Sequence, residues 1–242
     1  MSPSDYFGAN ESPVGVVSGS GLNLRSLLDE EAGAVSFSEV LGLPGAAVKG
    51  HDGIFRFGRC GEVPLILQSG RIHLYEGHPP ASVASTVDAL HRFGVRRLLL
   101  TNAVGGLSPD LPLGALVGAT EIKAWPFRHH RFSFSGRPAV MVPGCDAEGT
   151  YYWMHGPCYE TRAEITALQR LGGLTVGMSL PLELERCEAL GVAGGVVSCV
   201  TNDCTQPQAV VTHDEVVRTA EKASTRLAAL LRRCINDWKV GA

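Results

Sequence analysis

Three side chains able to grip an anion and a sugar alternate in Arg71-Ile72-His73-Leu74-Tyr75-Glu76. In an extended stretch Arg71, His73 and Tyr75 share one face, because successive strand side chains point to opposite sides. A guanidinium beside an imidazole can hold a phosphate, a phenol can reach a sugar hydroxyl, and Glu76 can orient or charge His73. An exposed polar strand with an ordinary ion pair accounts for the same spacing equally well. Gly19-Ser20-Gly21 offers backbone N–H groups and a hydroxyl to one anion, although alone it reads first as a tight turn. It is not a dinucleotide fingerprint, since Leu24 stands where the third glycine belongs.

Other segments carry weaker chemistry. Thr101-Asn102-Ala103-Val104-Gly105-Gly106 lets a ligand approach the backbone, and by itself reads as a turn. Gly156-Pro157-Cys158-Tyr159-Glu160-Thr161 sets an aromatic face and a carboxylate beside a helix start. Core packing for Tyr159 and a helix-dipole contact for Glu160 are the plain alternatives. Met178-Ser179 and Asn202-Asp203 add a hydroxyl and an amide with a carboxylate. His51, in Lys49-Gly50-His51-Asp52-Gly53, and His129 and His130, between Arg128 and Arg131, read by default as solvated.

The elements that must position these residues alternate between short apolar runs and helix-period segments, the pattern of a mixed α/β sheet. Strands are expected at 14–17, 63–68, 97–101, 115–122, 151–154, 175–177 and 193–201. A helix over 81–93 ends at Gly94. Thr161-Arg162-Ala163-Glu164 and Thr212-His213-Asp214-Glu215 fit capping boxes, the second opening a long C-terminal helix with apolar residues along one side. Nearly every polar cluster therefore follows a strand, where open α/β sheets gather their ligands.

Composition narrows the class. At 242 residues, with no repeat or linker, one domain is the simplest account, with residues 1–13 expected to be a flexible terminus. A net charge of −3 predicts no general affinity for nucleic acid or membrane. No secretory signal is expected, and 190–200 is too short an apolar run to span a bilayer. Seven cysteines without a Cys-x-x-Cys pair suit free thiols in the cytoplasm rather than disulfides or a metal site. The chain also lacks a His-Glu-x-x-His helix, a Gly-Lys-Ser/Thr phosphate loop and a Gly-x-Ser-x-Gly elbow.

In their order and spacing, from Val14 to Trp238, these segments resemble the trimeric purine nucleoside phosphorylase family, which includes the methylthioadenosine phosphorylases. The resemblance implies a single α/β domain with a twisted mixed β-sheet flanked by helices. It implies phosphate contacts from Ser20, Arg71, His73, the Ala103 backbone and Ser179, with His51 close to that phosphate. It implies ribose contacts from Tyr75, Met178 and His213, the last facing the 5′-hydroxyl. Tyr159 would lie against the purine, with Glu160 and Asn202 as polar base contacts and Asp203 beside them. His51, Glu160 and Asn202 are the implied catalytic residues. The implied reaction takes inorganic phosphate as co-substrate, needs no metal or organic cofactor, and runs in a homotrimer. A neighbour's aromatic residue would complete each site, with Phe132 or Phe134 as candidates.

The chain departs from the family twice. Lys123 to His155 is abbreviated, lacking the Asn-Pro-Leu element and an extra helix, and holds Trp125-Pro126-Phe127-Arg128-His129-His130 instead. Asp203 follows Asn202 where 6-oxopurine enzymes often carry lysine. Inosine and guanosine are the expected substrates; a modified, 5′-deoxy or 6-amino nucleoside such as methylthioadenosine is the alternative within the class. A catalytically idle nucleoside-binding protein is the alternative outside it.

Overall fold

The computed structural model describes residues 2–8, 11–42, 53–125, 133–206 and 212–240. His51, Phe132, His129 and His130 lie outside the described residues. The strands are β1 (Val14–Ser18), β2 (Glu30–Ser36), β3 (Ile54–Cys60), β4 (Val63–Ser69), β5 (Arg97–Gly106), β6 (Leu116–Ala124), β7 (Ala147–Trp153), β8 (Gly173–Gly177) and β9 (Ala193–Asp203). The helices are α1 (Pro3–Phe7), α2 (Phe37–Leu41), α3 (Pro80–Arg92), α4 (Arg162–Arg170), α5 (Pro181–Ala189) and α6 (His213–Val240).

All nine strands join one mixed sheet, so the expected α/β architecture is found. β4, β1, β5 and β9 run parallel, while β3 and β2 extend one edge antiparallel. The other side curls, because β5 pairs with β9 on one edge and with β8 on the other, and β8, β7, β6 and β9 close the ring. β5 is the pivot. Arg97–Leu100 lie against β1 and Gly105–Gly106 against β8, so a crevice opens beside the residues between them.

The expected turn at 102–106 is therefore strand, a correction to the sequence reading. β9 supplies hydrogen-bonding partners along the whole of Arg97–Gly106, and small residues tolerate the curvature there. Within the terminus expected to be flexible, Pro3–Phe7 form the short helix α1. Ser2 and Asp5 close a capping box on α1, and Phe7 is buried with its ring and that of Tyr6 beside Phe57.

Central strands buried on both faces need apolar cover on both sides. On one face α2, α3 and α5 pack in a core containing Phe37, Val83, Val87, Leu90, Leu182 and Leu184. On the other, α6 lays Ala220, Leu227, Leu231 and Ile235 against Val16, Leu65, Leu67, Leu99 and Val197. α4 closes a third, smaller core with Tyr152, Met154 and Val176. Both expected capping boxes are formed, Thr161 with Glu164 and Thr212 with Glu215. α3 ends as expected, at Gly94 with φ +96°. No described helix is long and apolar enough to cross a membrane.

Because α6 carries the first residues of its N-terminus to the crevice, its docking supports both core and site. Leu227→Ala, at a fully buried position, should cost about 2–5 kcal/mol by denaturant unfolding. A loss below about 1 kcal/mol would mean that α6 is not held by this face.

Candidate active site

The crevice beside β5 collects the polar segments that follow β1, β4 and β8, together with Thr201 and Asn202 at the end of β9. One cavity is lined by Ser20, Arg71, His73, Tyr75, Ala103, Tyr159, Glu160, Met178, Ser179, Asn202 and His213, so the fold brings together eleven of the expected site residues. Gly19 makes the close approach of the first loop possible, since a Cβ there would stand 2.6 Å from Asn102 Cα. Gly156, at φ +68°, does the same for the Tyr159 loop: a Cβ would fall 2.5 Å from Met178 Sδ and 3.1 Å from Tyr75 Cδ1.

Arg71 is only 2 % exposed, which places a full positive charge inside the protein. Its Nε donates to Glu183 Oε1 at 2.5 Å and its Nη1 to the Thr101 carbonyl at 3.1 Å, with Ser179 Oγ at 3.5 Å. The expected extended run through Tyr75 stops at His73, because Leu74–Glu76 form a single 3₁₀ turn. Glu76 reaches back to the His73 backbone N–H at 2.8 Å and to its Nδ1 at 2.9 Å, which fixes the imidazole edge-on. The same turn stacks the Tyr75 ring on His73, centroids 4.7 Å apart. Burial, reinforced by Glu76 and Tyr159, pushes the Tyr75 phenol up to about 12, so it remains a hydrogen-bond donor.

At the far end of the cavity Asn202 sits beside Gly105, where a Cβ would meet its Nδ2 at 3.0 Å. The amide is oriented by Thr201 Oγ1, 3.3 Å from Oδ1, and by Cys204 Sγ, 3.4 Å from Nδ2. Burial raises the pKa of the Glu160 carboxyl above its ordinary value, with a smaller contribution from Glu164. Tyr159 is 41 % exposed at the mouth, and His213 enters from the first turn of α6.

Asp203 is not among the residues lining the cavity. One of its carboxylate oxygens accepts from the Thr205 N–H at 2.7 Å and from its hydroxyl at 2.6 Å. Burial opposes these bonds, yet they leave the Asp203 carboxyl below its usual pKa. Phe134 packs on the large core of its own chain. Sequence reasoning did not single out Asn102, Tyr151 or Glu183. Asn102 lines the cavity and accepts from Ser198 Oγ at 2.8 Å. Tyr151 and Glu183 support it from behind, and the only signal for Glu183 was an acid three residues into a Leu180-Pro181 helix start.

A roomier cleft opens near Asn23, Arg25, Arg56 and Thr225. Both of its arginines already bond Glu31, at 2.8 and 3.0 Å. The cavity beside β5 is the one that gathers the expected site residues.

Comparison with known proteins agrees with this geometry. A model of the phosphorylase superfamily matches residues 13–144 and 146–236. A purine nucleoside phosphorylase of Mycobacterium tuberculosis is 33% identical over 94% of this chain and 90% of its own length. Purine nucleoside phosphorylase 1 of Geobacillus stearothermophilus is 28% identical over 93% of this chain and 90% of its own. The crystal structure of Schistosoma mansoni purine nucleoside phosphorylase in complex with adenosine superposes with a TM-score of 0.78 at 25% identity, covering 94% of this chain and 91% of that one. With a family model matched along nearly its whole length and a relative 33% identical over 94% of it, the chain belongs to the purine nucleoside phosphorylases of the phosphorylase superfamily.

Proposed function

We propose that this enzyme cleaves 6-oxopurine nucleosides, inosine and guanosine ahead of adenosine, with phosphate held at the Arg71 end and the purine at the Glu160–Asn202 end. The observation that carries this reading is the spacing along β5. Arg71 bonds the carbonyl of Thr101, while Asn202 sits over Gly105. Four residues of strand separate them by about 13 Å, a length suited to a phosphate, a ribose and a purine laid end to end.

Phosphorolysis passes through a ribosyl-cation-like transition state, as glycoside hydrolysis does. A phosphate oxygen supplies the electron pair for the new bond to the anomeric carbon, and the C–N pair leaves with the purine. Holding phosphate against that carbon makes the attack a positioned one, and its charge stabilises the cation. The leaving base gains negative charge. One Nδ2 hydrogen of Asn202 is directed at Cys204, which leaves the amide's second donor for the purine. Phosphate is the co-substrate, and no metal or organic cofactor enters this scheme.

The base preference follows from acceptors and donors. A 6-oxopurine carries a hydrogen on N1 that the Glu160 carboxylate accepts, whereas adenine would turn a bare lone pair to it. Asp203, held by Thr205, supplies no second carboxylate for an adenine amino group. The exposed Tyr159 supports a trimer in which a neighbouring subunit covers the base. Seven free cysteines support a reducing, cytoplasmic setting.

Arg71→Ala should raise the phosphate KM and depress turnover by about a hundredfold or more, since a charged contact in a shielded site is lost. Parent-like phosphate kinetics in that variant would move the anion elsewhere. Inosine should exceed adenosine in kcat/KM by up to roughly four orders of magnitude, and Glu160→Gln should erase most of that gap. Glu160 accepts from N1–H most strongly when ionised, as a charge-assisted bond. Activity on inosine is therefore full above its pKa and falls as pH drops through it. Since burial raises that pKa, the acid limb should lie above the ordinary glutamate range. An adenosine preference, or a limb unmoved in Glu160→Gln, contradicts the assignment. At His213, 5′-deoxyinosine should be poorer than inosine by about fivefold, the worth of one neutral hydrogen bond. That difference should vanish in His213→Ala; its persistence would place the 5′-hydroxyl on another group.

A further inference from the structure

Behind the cavity stands a buried carboxylate that touches none of the space a substrate would occupy. Glu183 is 2 % exposed and is not among the cavity-lining residues. Its Oε1 accepts from Arg71 Nε at 2.5 Å, and its Oε2 accepts from the Leu180 backbone N–H at 3.0 Å. Leu180 is the only non-glycine at positive φ among the described residues, at +90°, a conformation that a branched side chain adopts only when its surroundings enforce it. The residue before it, Ser179, lines the cavity and stands 3.5 Å from Arg71 Nη1. The Tyr151 hydroxyl secures Ser179 from the other side, donating to its carbonyl at 2.8 Å and accepting from its N–H at 3.3 Å.

We infer that Glu183 is a positioning residue for the co-substrate: one carboxylate fixes both the Arg71 guanidinium and the strained Ser179–Leu180 turn, and so sets the two phosphate contacts in register. The inference rests on the assignment of the Arg71 end to phosphate. Its chemistry is specific to a carboxylate of this length. A glutamine has a single carbonyl oxygen, so an N–H of its amide must face either Arg71 Nε or the Leu180 N–H, donor against donor. An aspartate keeps the charge that a buried guanidinium needs but is one methylene too short to span both partners.

Glu183→Gln and Glu183→Asp test this with phosphate and nucleoside titrated separately in the steady state. A parallel titration follows the rise in Tm of the nucleoside-free protein with inorganic phosphate. Both variants should raise the phosphate KM about tenfold or more, as loss of a charge-assisted bond does. The nucleoside KM should stay within about twofold, because the base contacts at Tyr159, Glu160 and Asn202 lie on other elements and touch neither Glu183 nor the Ser179–Leu180 turn. The phosphate-induced rise in Tm should weaken in parallel. In an Arg71→Ala background, Glu183→Gln should leave the phosphate KM unchanged and raise Tm, since it removes a carboxylate stranded without its cation. A folded variant of either kind with the parent's phosphate KM overturns the inference. So does an equal rise in both KM values, which marks a merely structural role. Glu183→Asp retains the buried charge and serves where Glu183→Gln fails to fold. Should the parent cleave no purine nucleoside, the proposed function fails, while the Tm response to phosphate still decides what Glu183 does.

Discussion

β5 has to satisfy neighbours on both edges with different requirements, and most of the molecule follows from how it does so. Its first residues are parallel-paired to β1, its last to an antiparallel β8, and β9 runs alongside throughout. Two strands that share one edge of a third must part somewhere. Where β1 and β8 part, backbone groups of β5 face a gap instead of a ladder partner, and buried backbone polar groups do not go unpaired. The Thr101 carbonyl is taken by Arg71, and the Thr101 hydroxyl donates to the Val17 carbonyl at 2.8 Å. A switch point in a sheet is thus a polar hole inside an apolar core, ready for a ligand.

A charge carried into that hole needs its own support. Three polar groups in it are backed by another largely buried one: Arg71 by Glu183, His73 by Glu76, Asn102 by Ser198. Low dielectric strengthens these pairs and equally penalises any member left alone, so the set is held as a unit. The arrangement also removes the freedom of the side chains before substrate arrives, which is what a positioned attack by phosphate requires. The strain at Leu180 belongs to the same logic: a conformation unfavourable by itself persists where Glu183 and Tyr151 over-determine it.

Much of this was legible in the residues. Strand and helix periodicity located the elements that bear the site, both Thr–Glu capping boxes were read from spacing alone, and the cavity gathers eleven of the residues named in advance. What escaped has physical reasons. Asn102 to Gly106 looks like a turn because its residues are small, yet smallness there serves a curved strand paired along its length. Arg71 to Tyr75 looks like a strand because of its alternation, but Glu76 reaches back over His73 and tightens the chain into a turn. α1 was invisible because five residues carry no period, and Phe7 is buried against residues distant in sequence such as Phe57. Glu183 escaped for a related reason. A glutamate in the first turn of a helix is ordinary, and its importance lies in a partner 112 residues away.

Of the two departures read in the sequence, Asp203 stands next to Asn202 at one end of the cavity, while the described residues of Lys123 to His155 contribute nothing to its lining. The Arg71 end of the cavity is built from the loops after β1, β4 and β8 and is backed by the buried Arg71–Glu183 ion pair. The Asn202 end is built from β9's last residues, the Gly156–Thr161 loop and the mouth at Tyr159. There Asp203 is engaged with Thr205, Cys204 has taken the space beside Gly105, and its thiol, pushed up to about 12 by burial, lies against the Asn202 amide as a neutral contact. With the acid turned aside and a neutral thiol in its stead, Glu160 is the only carboxylate lining the cavity, among the described residues. On the proposed reading, discrimination between purines then rests on whether that one group meets a hydrogen or a lone pair, a mismatch that costs more than a poor fit of shape alone.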